Sequence, residues 1–582
     1  MRVSDKNTRE QFRMRGSNKM TKTIKRLISV IVMTAMVVMI GMTSLAADTY
    51  SITIKRPDND TAEHTYSAYQ IFTGELSSGT QKLINLAVGS NLNLATLKTQ
   101  LNLNASATLE DVVTALKADT NPAAKVLASK QGDPVKTQVS GTSADTTITG
   151  VPGPGYYLIT DKITRTGSDP DLHGAESAYM LQVVGTSTTL NVKSKTDVPS
   201  LNKVINKDNG VAANSASIGD TVPFKLTSTV PDMEHYNRYW FKVTDTLCAG
   251  FDFNNDVEIT VGNDTLTPNT DYTVTVSGKT NIEIVFKDFK TKCKKGDAIV
   301  ITYSAVLNED ADRTTTGNDN KARLIFSNDP NFEYTGDNPP DDSVVGKTPE
   351  IITKTYTTGV AVQKVDDNNK ALAGATFKIT GSSVNRVVTV ETTYTQGTAT
   401  DPGEYYKLKD GTYTTKAPTA TTQDDYESTT VMYNLTTNET VKDATGSGTD
   451  KTVTATVDSN GYVSFEGLGP GKYTIEETDA PSGYQKSDAK IMFEIKSTPT
   501  INTPGWTIES QTGTTAGTEI VAGDVNASGP ILYQFKIKNE KEQDLPITGG
   551  MGTAVFYGTG SILMLAGVTL LIAKKKRTET NR

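Results

Sequence analysis

The stretch that decides the fold reads Tyr473-Thr-Ile-Glu-Glu477-Thr-Asp-Ala-Pro481-Ser-Gly483-Tyr484, and Gly467-Leu-Gly-Pro-Gly471 stands just before it. The segment around it opens with Val360-Ala-Val-Gln-Lys364, continues through Leu372-Ala-Gly-Ala-Thr-Phe377 and closes with Tyr533-Gln-Phe-Lys-Ile-Lys-Asn539. Charged residues are few in the whole chain, whereas Thr, Val, Gly and Asn are plentiful, a mixture that suits β-rich extracellular domains. We therefore expect a β-rich unit over about 350–541.

These motifs resemble the Cna B-type domain of Gram-positive surface proteins, whose E-box has the pattern YxxxETxAPxGY. The resemblance implies a covalent bond between a lysine on the first strand and an asparagine on the last, formed beside a glutamate. Carried over to this chain, these residues are Lys364, Asn539 and Glu477. A threonine-rich, polar stretch over about 389–451 interrupts the pattern and is interpreted as an insertion, either a hairpin excursion or a partly flexible segment.

The chemistry of such a bond has clear physical requirements. A lysine amine is a nucleophile only when it is deprotonated, and apolar burial lowers its pKa. A carboxylic acid that burial keeps neutral can donate a hydrogen bond that polarises the amide carbonyl. Two groups held in contact also gain the high effective concentration of an intramolecular reaction. Ammonia leaves, and an isopeptide bond remains.

A second unit is predicted over 197–349, because alternating or β-branched strand candidates are separated by Gly, Asn and Asp turns. It resembles the isopeptide-forming middle domain of Gram-positive pilins through Val198-Pro-Ser-Leu-Asn-Lys203-Val204, Val243-Thr-Asp245-Thr-Leu247, Ile301-Thr-Tyr-Ser-Ala305 and Asn320-Lys-Ala-Arg-Leu324. By position, Lys203 is the amine, Asn320 the acceptor and Asp245 the acid. Lys207, Asn318 and Asn328 are competing candidates.

A first unit over 47–196 resembles the N-terminal domain of the same pilins through Ser67-Ala-Tyr-Gln-Ile-Phe72 and Gly155-Tyr-Tyr-Leu-Ile159. Its middle, around Leu83 to Leu127, has apolar residues at helical spacing, so we expect a β-sandwich that carries short helices. Lys55 and Asn191 could form a third bond, although no acid motif accompanies them.

Both ends of the chain carry processing signals. Lys22, Lys25 and Arg26 precede the apolar run Leu27 to Met42 and small residues near Ala46, as a secretory signal over 1–46 requires. At the other end, Leu545-Pro546-Ile-Thr548-Gly549 is followed by an apolar span from Ala554 to Ala573 and a basic cluster from Lys574 to Arg577. The order over 545–582 resembles the sorting signal that a sortase cuts between Thr and Gly. The precursor would sit in the membrane only transiently.

The junction of the first two units holds Asn191-Val-Lys193-Ser-Lys195-Thr-Asp-Val-Pro199. Backbone pilins carry at this place a lysine that attacks the acyl-sortase of the next subunit, often within YPKN. The strict YPKN is absent here. Counted back from Pro199, Lys195 is the better-placed residue, and Lys193 is the alternative.

Composition excludes several classes of function. A net charge of −8 leaves no basic surface suited to nucleic acid. Cys248 and Cys293 fall in one unit, where a disulfide and two reduced thiols are both compatible with the sequence. His64, His173 and His235 are scattered without ligand spacing, so we interpret them as surface residues and predict no metal site and no cofactor. No Ser/His/Asp set or paired-carboxylate motif indicates an enzyme.

The sequence thus predicts an all-β chain of tandem immunoglobulin-like, Cna-type β-sandwiches. Its resemblance implies the backbone subunit of a covalent pilus on the Gram-positive cell wall. The implied partners are a class C pilin sortase and a housekeeping sortase, further copies of the chain joined head to tail, minor pilins, peptidoglycan and host surface ligands. The alternative is a secreted, wall-anchored adhesin or minor pilin, displayed singly and binding a host ligand.

Overall fold

The computed structural model describes residues 49–77, 82–142, 144–165, 172–185, 189–205, 210–338, 344–510, 518–521, 531–543 and 551–579. Within them the strands fall into three groups that follow one another along the chain, and every sheet takes its strands from one group. The prediction of tandem β-sandwiches, the first with short helices, is confirmed.

The first group forms a three-stranded sheet, ordered β5-β1-β8, and a second sheet ordered β3-β2-β6-β7, in which β4 also pairs with β2. Leu83–Val88, which begins the stretch of helical spacing, is a strand because it pairs with β2. The helices start at Leu94 and bury Leu97, Val112, Leu116 and Val126. The elements are β1 Thr49–Lys55, β2 His64–Leu76, β3 Leu83–Val88, α1 Leu94–Gln100, α2 Leu109–Ala118, α3 Pro122–Ala128, β4 Lys136–Val139, β5 Thr146–Pro152, β6 Gly155–Ile163, β7 Met180–Val184 and β8 Thr189–Lys193.

The second group forms two facing sheets, ordered β10-β21-β19-β12-β17-β16 and β15-β14-β18-β11-β9, with β20 and β13 pairing β19 and β18. Along β18 the side chains alternate, and Ile299, Ile301 and Tyr303 point into the core. The elements are β9 Asn202–Ile205, β10 Ala213–Ser215, β11 Thr221–Thr229, β12 Phe241–Leu247, β13 Phe251–Phe253, β14 Glu258–Val261, β15 Asp264–Thr265, β16 Tyr272–Ser277, β17 Asn281–Phe286, α4 Phe289–Lys292, β18 Ala298–Leu307, β19 Asn318–Ser327, β20 Val345–Lys347 and β21 Ile351–Tyr356.

The third group forms sheets ordered β27-β24-β29-β22-β34-β33 and β28-β23-β30-β31-β32, and β25 pairs with β26. Central strand β22 is buried on both faces and runs parallel to β34. The elements are β22 Thr358–Val365, β23 Thr376–Gly381, β24 Arg386–Gln396, β25 Tyr406–Lys407, β26 Tyr413–Thr414, β27 Tyr433–Asp443, β28 Thr452–Thr456, β29 Tyr462–Leu468, β30 Gly471–Asp479, β31 Lys490–Ser497, β32 Trp506–Ser510, β33 Thr518–Val521 and β34 Ile531–Lys538; a separate helix, α5, spans Met551–Glu579.

The threonine-rich stretch is a hairpin excursion. Strands β24 and β27 pair over their whole length, from Arg386 with Asp443 to Gln396 with Tyr433. The residues between them carry the small β25–β26 sheet. The excursion therefore extends an edge of the third unit without entering its core.

The glycine-rich stretch before the E-box forms the contact between the second and third units. Ile218 N–H donates to Gly467 O at 2.9 Å, and Gly469 N–H donates to Ser217 Oγ at 2.9 Å. A Cβ at Gly469 would lie 2.6 Å from the Ala216 carbonyl carbon, so only glycine permits this approach. The last strand before this contact, β21, pairs with β19 of the second group, although the sequence boundary at 349/350 assigns it to the third unit.

Candidate functional site: two buried lysine–acid–asparagine clusters

The second unit brings its three candidate residues together in the core. Lys203 Nζ lies 2.6 Å from Asp245 Oδ2 and 2.5 Å from Asn320 Oδ1. The lysine comes from β9, whereas the acid and the amide come from β12 and β19 of the facing sheet. Each of the three residues is at most 2% exposed. The cluster therefore connects the two sheets of the sandwich.

Burial sets the protonation of this cluster. It lowers the pKa of Lys203 to about 8, against the opposing attraction of Asp245. It also raises the pKa of the Asp245 carboxyl, against the charge of Lys203 and the hydrogen bonds from Lys203 and Tyr303. Both shifts favour the neutral forms, because two charges are costly in a medium of low dielectric constant. A proton that moves from Nζ to the carboxylate leaves a neutral amine in contact with the amide.

Tyr303 is a fourth member that sequence reasoning missed. Its hydroxyl donates to Asp245 Oδ2 at 2.7 Å and accepts from Asn320 Nδ2 at 2.7 Å, so it connects the acid to the amide nitrogen. The signal was present in Ile301-Thr-Tyr303-Ser-Ala305, because a tyrosine at an inward position of a strand needs a partner for its hydroxyl.

The competing candidates in the second unit have other partners. Asn318 Nδ2 donates to the carbonyls of Asp312 and Thr355, which closes a loop. Asn328 contacts the first unit through Arg165 and Gly174. Lys207 lies outside the described residues. Among the described candidates, Asn320 is the asparagine that meets Lys203.

The third unit also buries its three candidates, with a different set of contacts. Asn539 Nδ2 donates to Glu477 Oε1 at 3.0 Å, and Glu477 Oε2 accepts from Ser487 N–H at 2.6 Å. Lys364 Nζ instead donates to the backbone carbonyls of Ile537, at 3.0 Å, and Val365, at 3.4 Å. The acid and the amide are therefore joined, and the amine lies beside them on β22.

Burial also favours the neutral, nucleophilic form of the Lys364 amine in the third unit. Lys364 is fully buried, and burial lowers its pKa to about 8 against the attraction of Glu477. Asn539 Oδ1 is buried and has no hydrogen-bond partner. Because an unpaired buried carbonyl is costly, this oxygen is an open acceptor position next to the acid.

Two further lysine–asparagine pairs lack this environment. Lys55 is exposed and forms an ion pair with Asp145 at 2.6 Å, and Asn191, which pairs with Thr53 across β1 and β8, is also exposed. At the contact between the second and third units, Lys451 donates to Asn385 Oδ1, and Asn385 Nδ2 donates to Asp220 at 2.6 Å. The members of that trio are only half-buried. Neither amine is fully buried as in the two clusters, so neither pair has their properties.

The junction lysines are accessible. Lys193 ends the edge strand β8, and Lys195 follows two residues later; both are exposed. The secretory signal and the cleavage motif with Leu545, Pro546, Thr548 and Gly549 lie outside the described residues. Helix α5 contains an unburied stretch, Val555–Arg577, that is long and apolar enough to cross a membrane.

The interpretation of the histidines as surface residues was wrong for two of the three. His173 is buried, and its Nε2 lies 2.9 Å from Pro199 O at the junction. His64 is buried between Asp60 and Asp161, while His235 is exposed. Among the described residues, no group of three or more His, Cys, Asp or Glu side chains is placed to hold a metal ion.

The two cysteines are not joined in the structure. Cys293 is buried, and burial raises the pKa of its thiol to about 12. Cys248 is half-buried, with its Sγ 3.6 Å from Asn318 Oδ1. The described second unit therefore contains two thiols and no disulfide.

One domain family and two curated proteins match this chain in sequence. The SpaA prealbumin-like fold domain matches residues 430–505. The trypsin-resistant surface T6 protein of Streptococcus pyogenes serotype M6 is 27% identical over 410 residues, which cover 66% of this chain and 70% of that protein. Fimbrial subunit type 2 of Actinomyces naeslundii is 25% identical over 395 residues, which cover 63% of this chain and 59% of that protein.

Solved structures with a related arrangement include two pilins. The T6 backbone pilin of Streptococcus pyogenes serotype M6 has a TM-score of 0.46 at 17% identity, over 85% of this chain and 99% of that chain. The major pilin SpaD of Corynebacterium diphtheriae has a TM-score of 0.41 at 16% identity, over 85% and 98% of the two chains. In sequence, this chain is thus similar to a streptococcal surface protein and to an Actinomyces fimbrial subunit.

Proposed function

We propose that this chain is the backbone subunit of a covalent pilus on the Gram-positive cell wall, with an isopeptide bond inside each of its second and third units. The observation that carries the proposal is the buried contact of Lys203 with Asp245 and Asn320. The names of the relatives support the same function, because one is a fimbrial subunit.

In the second unit the reaction begins when Asp245 takes the proton of the Lys203 ammonium. The neutral amine then attacks Asn320 Cγ, and the Nζ–Cγ bond forms. The Cγ–Nδ2 bond breaks, and the leaving nitrogen takes two protons: the one held by Asp245, delivered through the Tyr303 hydroxyl, and the second proton that Nζ gives up as it becomes an amide. It departs as ammonium. Asp245 and Tyr303 end as they began, so the reaction is a single self-modification without turnover.

In the third unit Glu477 takes the place of Asp245. It accepts from Asn539 Nδ2 and so orients the amide, whose Oδ1 is buried without a hydrogen-bond partner. Lys364 would give its ammonium proton to solvent, leave the carbonyl of Ile537 and attack Asn539 Cγ. The Nζ–Cγ bond forms, the Cγ–Nδ2 bond breaks, and the leaving nitrogen takes the second proton of Nζ. The products are one isopeptide bond and one ammonia.

Subunits are joined through Thr548 of one copy and a junction lysine of another. Helix α5 keeps the precursor at the membrane until a sortase cuts after Thr548 and holds the Thr548 carbonyl as a thioester. Lys195, or Lys193, of another copy then takes the acyl group. Such a head-to-tail contact does not close on itself, so it builds a filament. The housekeeping sortase would transfer the last subunit to peptidoglycan, and minor pilins and host ligands would be further partners.

The same proposal divides the mature chain into three units. We place the first over 47–196, and the second from 197 to Tyr356, since β21 pairs with β19. The third runs from Thr358 to 541, and the sorting signal follows over 545–582.

Two measurements test the proposal. The intact mass of the purified mature protein should be lower than the sequence mass by two ammonia losses, and a mass equal to the sequence mass would exclude the internal bonds. Surface extracts should show an SDS-resistant ladder that collapses to wall-attached monomer when Lys193 and Lys195 are both changed to Ala. A wild-type strain with its sortase and no ladder would instead favour the single-copy adhesin.

A further inference from the structure

The segment that carries Lys195 is held from both sides, while its side chain stays in solvent. Its neighbours Ser194 and Thr196 are 5% and 4% exposed, whereas Lys195 is exposed. Ser194 N–H donates to Lys55 O at 3.2 Å, and Lys195 N–H donates to Ser177 Oγ at 2.9 Å. Lys195 thus stands in solvent between two buried neighbours.

Ser177 is itself fixed by a buried charged cluster in the first unit. Its N–H donates to Asp161 Oδ2 at 2.8 Å, and Asp161 Oδ1 lies 2.8 Å from His64 Nδ1. His64 Nε2 lies 3.1 Å from Asp60 Oδ2, which also accepts from Ala175 N–H at 3.4 Å. The imidazole thus fixes two carboxylates, and each carboxylate fixes a backbone amide of the segment that contains Ser177.

The imidazole of His64 stays protonated at neutral pH. Burial opposes the charged imidazole, but the hydrogen bonds and charges of Asp161 and Asp60 outweigh it and raise the pKa of His64 to about 9. All three side chains are at most 4% exposed. A buried ion cluster whose members are all paired is rigid, because the alternative is an unpaired charge in the core.

The second unit holds the same segment from its other side. Thr196 Oγ1 lies 3.0 Å from the hydroxyl of Tyr236, and Tyr236 packs against Tyr239 with ring centroids 4.8 Å apart. Asn331 Nδ2 donates to Ser177 O at 3.1 Å. Lys195 is therefore anchored to both units, whereas Lys193 ends β8, which pairs with β1 of the first unit alone.

We propose that Ser177 and Thr196 are positioning residues that present the Lys195 amine to the acyl-sortase and so select Lys195 over Lys193 as the intersubunit linkage. This inference rests on the proposed function. In the step, the neutral amine attacks the Thr548 thioester carbonyl, the N–C bond forms and the C–S bond breaks. The amine proton goes to the departing sortase thiolate. A fixed backbone limits the positions that the flexible lysine side chain can occupy. A misplacement of the reacting amine by about 1 Å can lower the rate about a hundredfold.

The test uses the full-length chain expressed with a class C sortase in a Gram-positive host, and compares three variants. Ser177→Ala removes the acceptor of Lys195 N–H, Ser177→Thr keeps a hydroxyl, and Thr196→Val removes only the contact with Tyr236. Ser67→Ala is the matched control, because it breaks a comparable hydrogen bond, to Thr137 at 3.1 Å, in the same unit. The readouts are the initial rate of ladder formation and the linked lysine, identified by peptide mass spectrometry.

We expect Ser177→Ala to slow linkage at Lys195 about tenfold and to divert part of the linkage to Lys193. Ser177→Thr should restore wild-type behaviour, Thr196→Val should act like Ser177→Ala more weakly, and Ser67→Ala should change nothing. If Ser177→Ala fails to fold, the rate of ladder formation and the linked lysine in Thr196→Val test the inference instead.

The inference is overturned if both variants keep the wild-type rate and link only at Lys195, or if the wild-type linkage is at Lys193. The proposed function fails separately, when wild type gives no ladder or when the ladder persists without both lysines.

Discussion

The second and third units use the same three kinds of side chain in two different geometries. In the second, Lys203 comes from one sheet, and Asp245 and Asn320 come from the other, so the cluster spans the core. In the third, Lys364 lies on β22, Asn539 directly follows the neighbouring parallel strand β34, and the acid comes from the facing sheet. The first geometry brings all reacting groups into one hydrogen-bonded network, whereas the second joins only acid and amide.

The difference also changes which part of each unit a bond would enclose. A bond from Lys364 to Asn539 encloses nearly the whole third unit, because β22 and β34 are its first and last strands. A bond from Lys203 to Asn320 leaves most of β19, together with β20 and β21, outside the loop. With both bonds formed, β20 and β21 of the second unit would carry tension without protection from a bond, whereas no described strand of the third unit would.

The largest effect is expected from Asp245→Asn. It removes the acid without changing the size of the side chain, so one ammonia loss should disappear, and Lys203 should remain buried without its carboxylate. Losing a loop closure of this length costs about 4–5 kcal/mol, which lowers the melting temperature of the second unit by roughly 10 °C. Intact mass and calorimetry measure both effects. A variant that keeps both ammonia losses would exclude Asp245 as the acid.

A slightly smaller loss of stability is expected from Glu477→Gln. The third-unit bond should be absent, but Lys364 keeps the carbonyls of Ile537 and Val365 as partners. The third unit should melt at lower temperature and become sensitive to trypsin. Glu476→Gln is the matched control, because that carboxylate pairs with Lys378 and Lys490 outside the cluster. Equal digestion of the two variants would mean that Glu477 forms no bond or that the bond adds no stability.

Tyr303→Phe should slow the formation of the second-unit isopeptide bond without preventing it. The ring packing is kept, but the link from Asp245 to Asn320 Nδ2 is lost, so we expect the second-unit bond to form about tenfold more slowly. Intact mass, followed in time after a pulse of cell-free synthesis, measures this rate. The third-unit bond is the internal control.

Lys451→Ala should leave every ammonia loss in place, because the half-buried trio of Lys451, Asn385 and Asp220 is not expected to react.

The smallest expected effect is a difference between the two units in how the rate of bond formation depends on pH. The amine of Lys364 must lose its proton, so the rate in the third unit should rise with pH and level off above about 8, the pKa of Lys364. In the second unit the proton moves internally from Lys203 to Asp245. That rate should be flat below about pH 8 and fall above it, where the pair loses its shared proton. Identical profiles in the two units would contradict this assignment of the protons.

The sequence predicted well those features that local pattern encodes. Alternation along segments such as Ala298–Leu307 indicates strands, because successive side chains of a strand face opposite sides. Prediction from the sequence failed where strand pairing overrides the local hydrophobic pattern. Leu83–Val88 has apolar residues at helical spacing, but it is a strand that pairs with β2. The burial of His64 could not be predicted either, because the carboxylate of Asp161 that faces it is distant in sequence.

By itself, the sequence determined the β-rich class, the terminal signals and the lysine, acid and asparagine candidates, since composition, hydrophobic runs and short motifs are properties of neighbouring residues. Only the tertiary structure decided that Lys203 contacts Asn320 and not Asn318, and that Tyr303 joins them. It also decided that β21 completes the second unit and that Lys195 stands between two anchored neighbours. These contacts arise where two sheets or two units meet, and their partners are set by packing across the core.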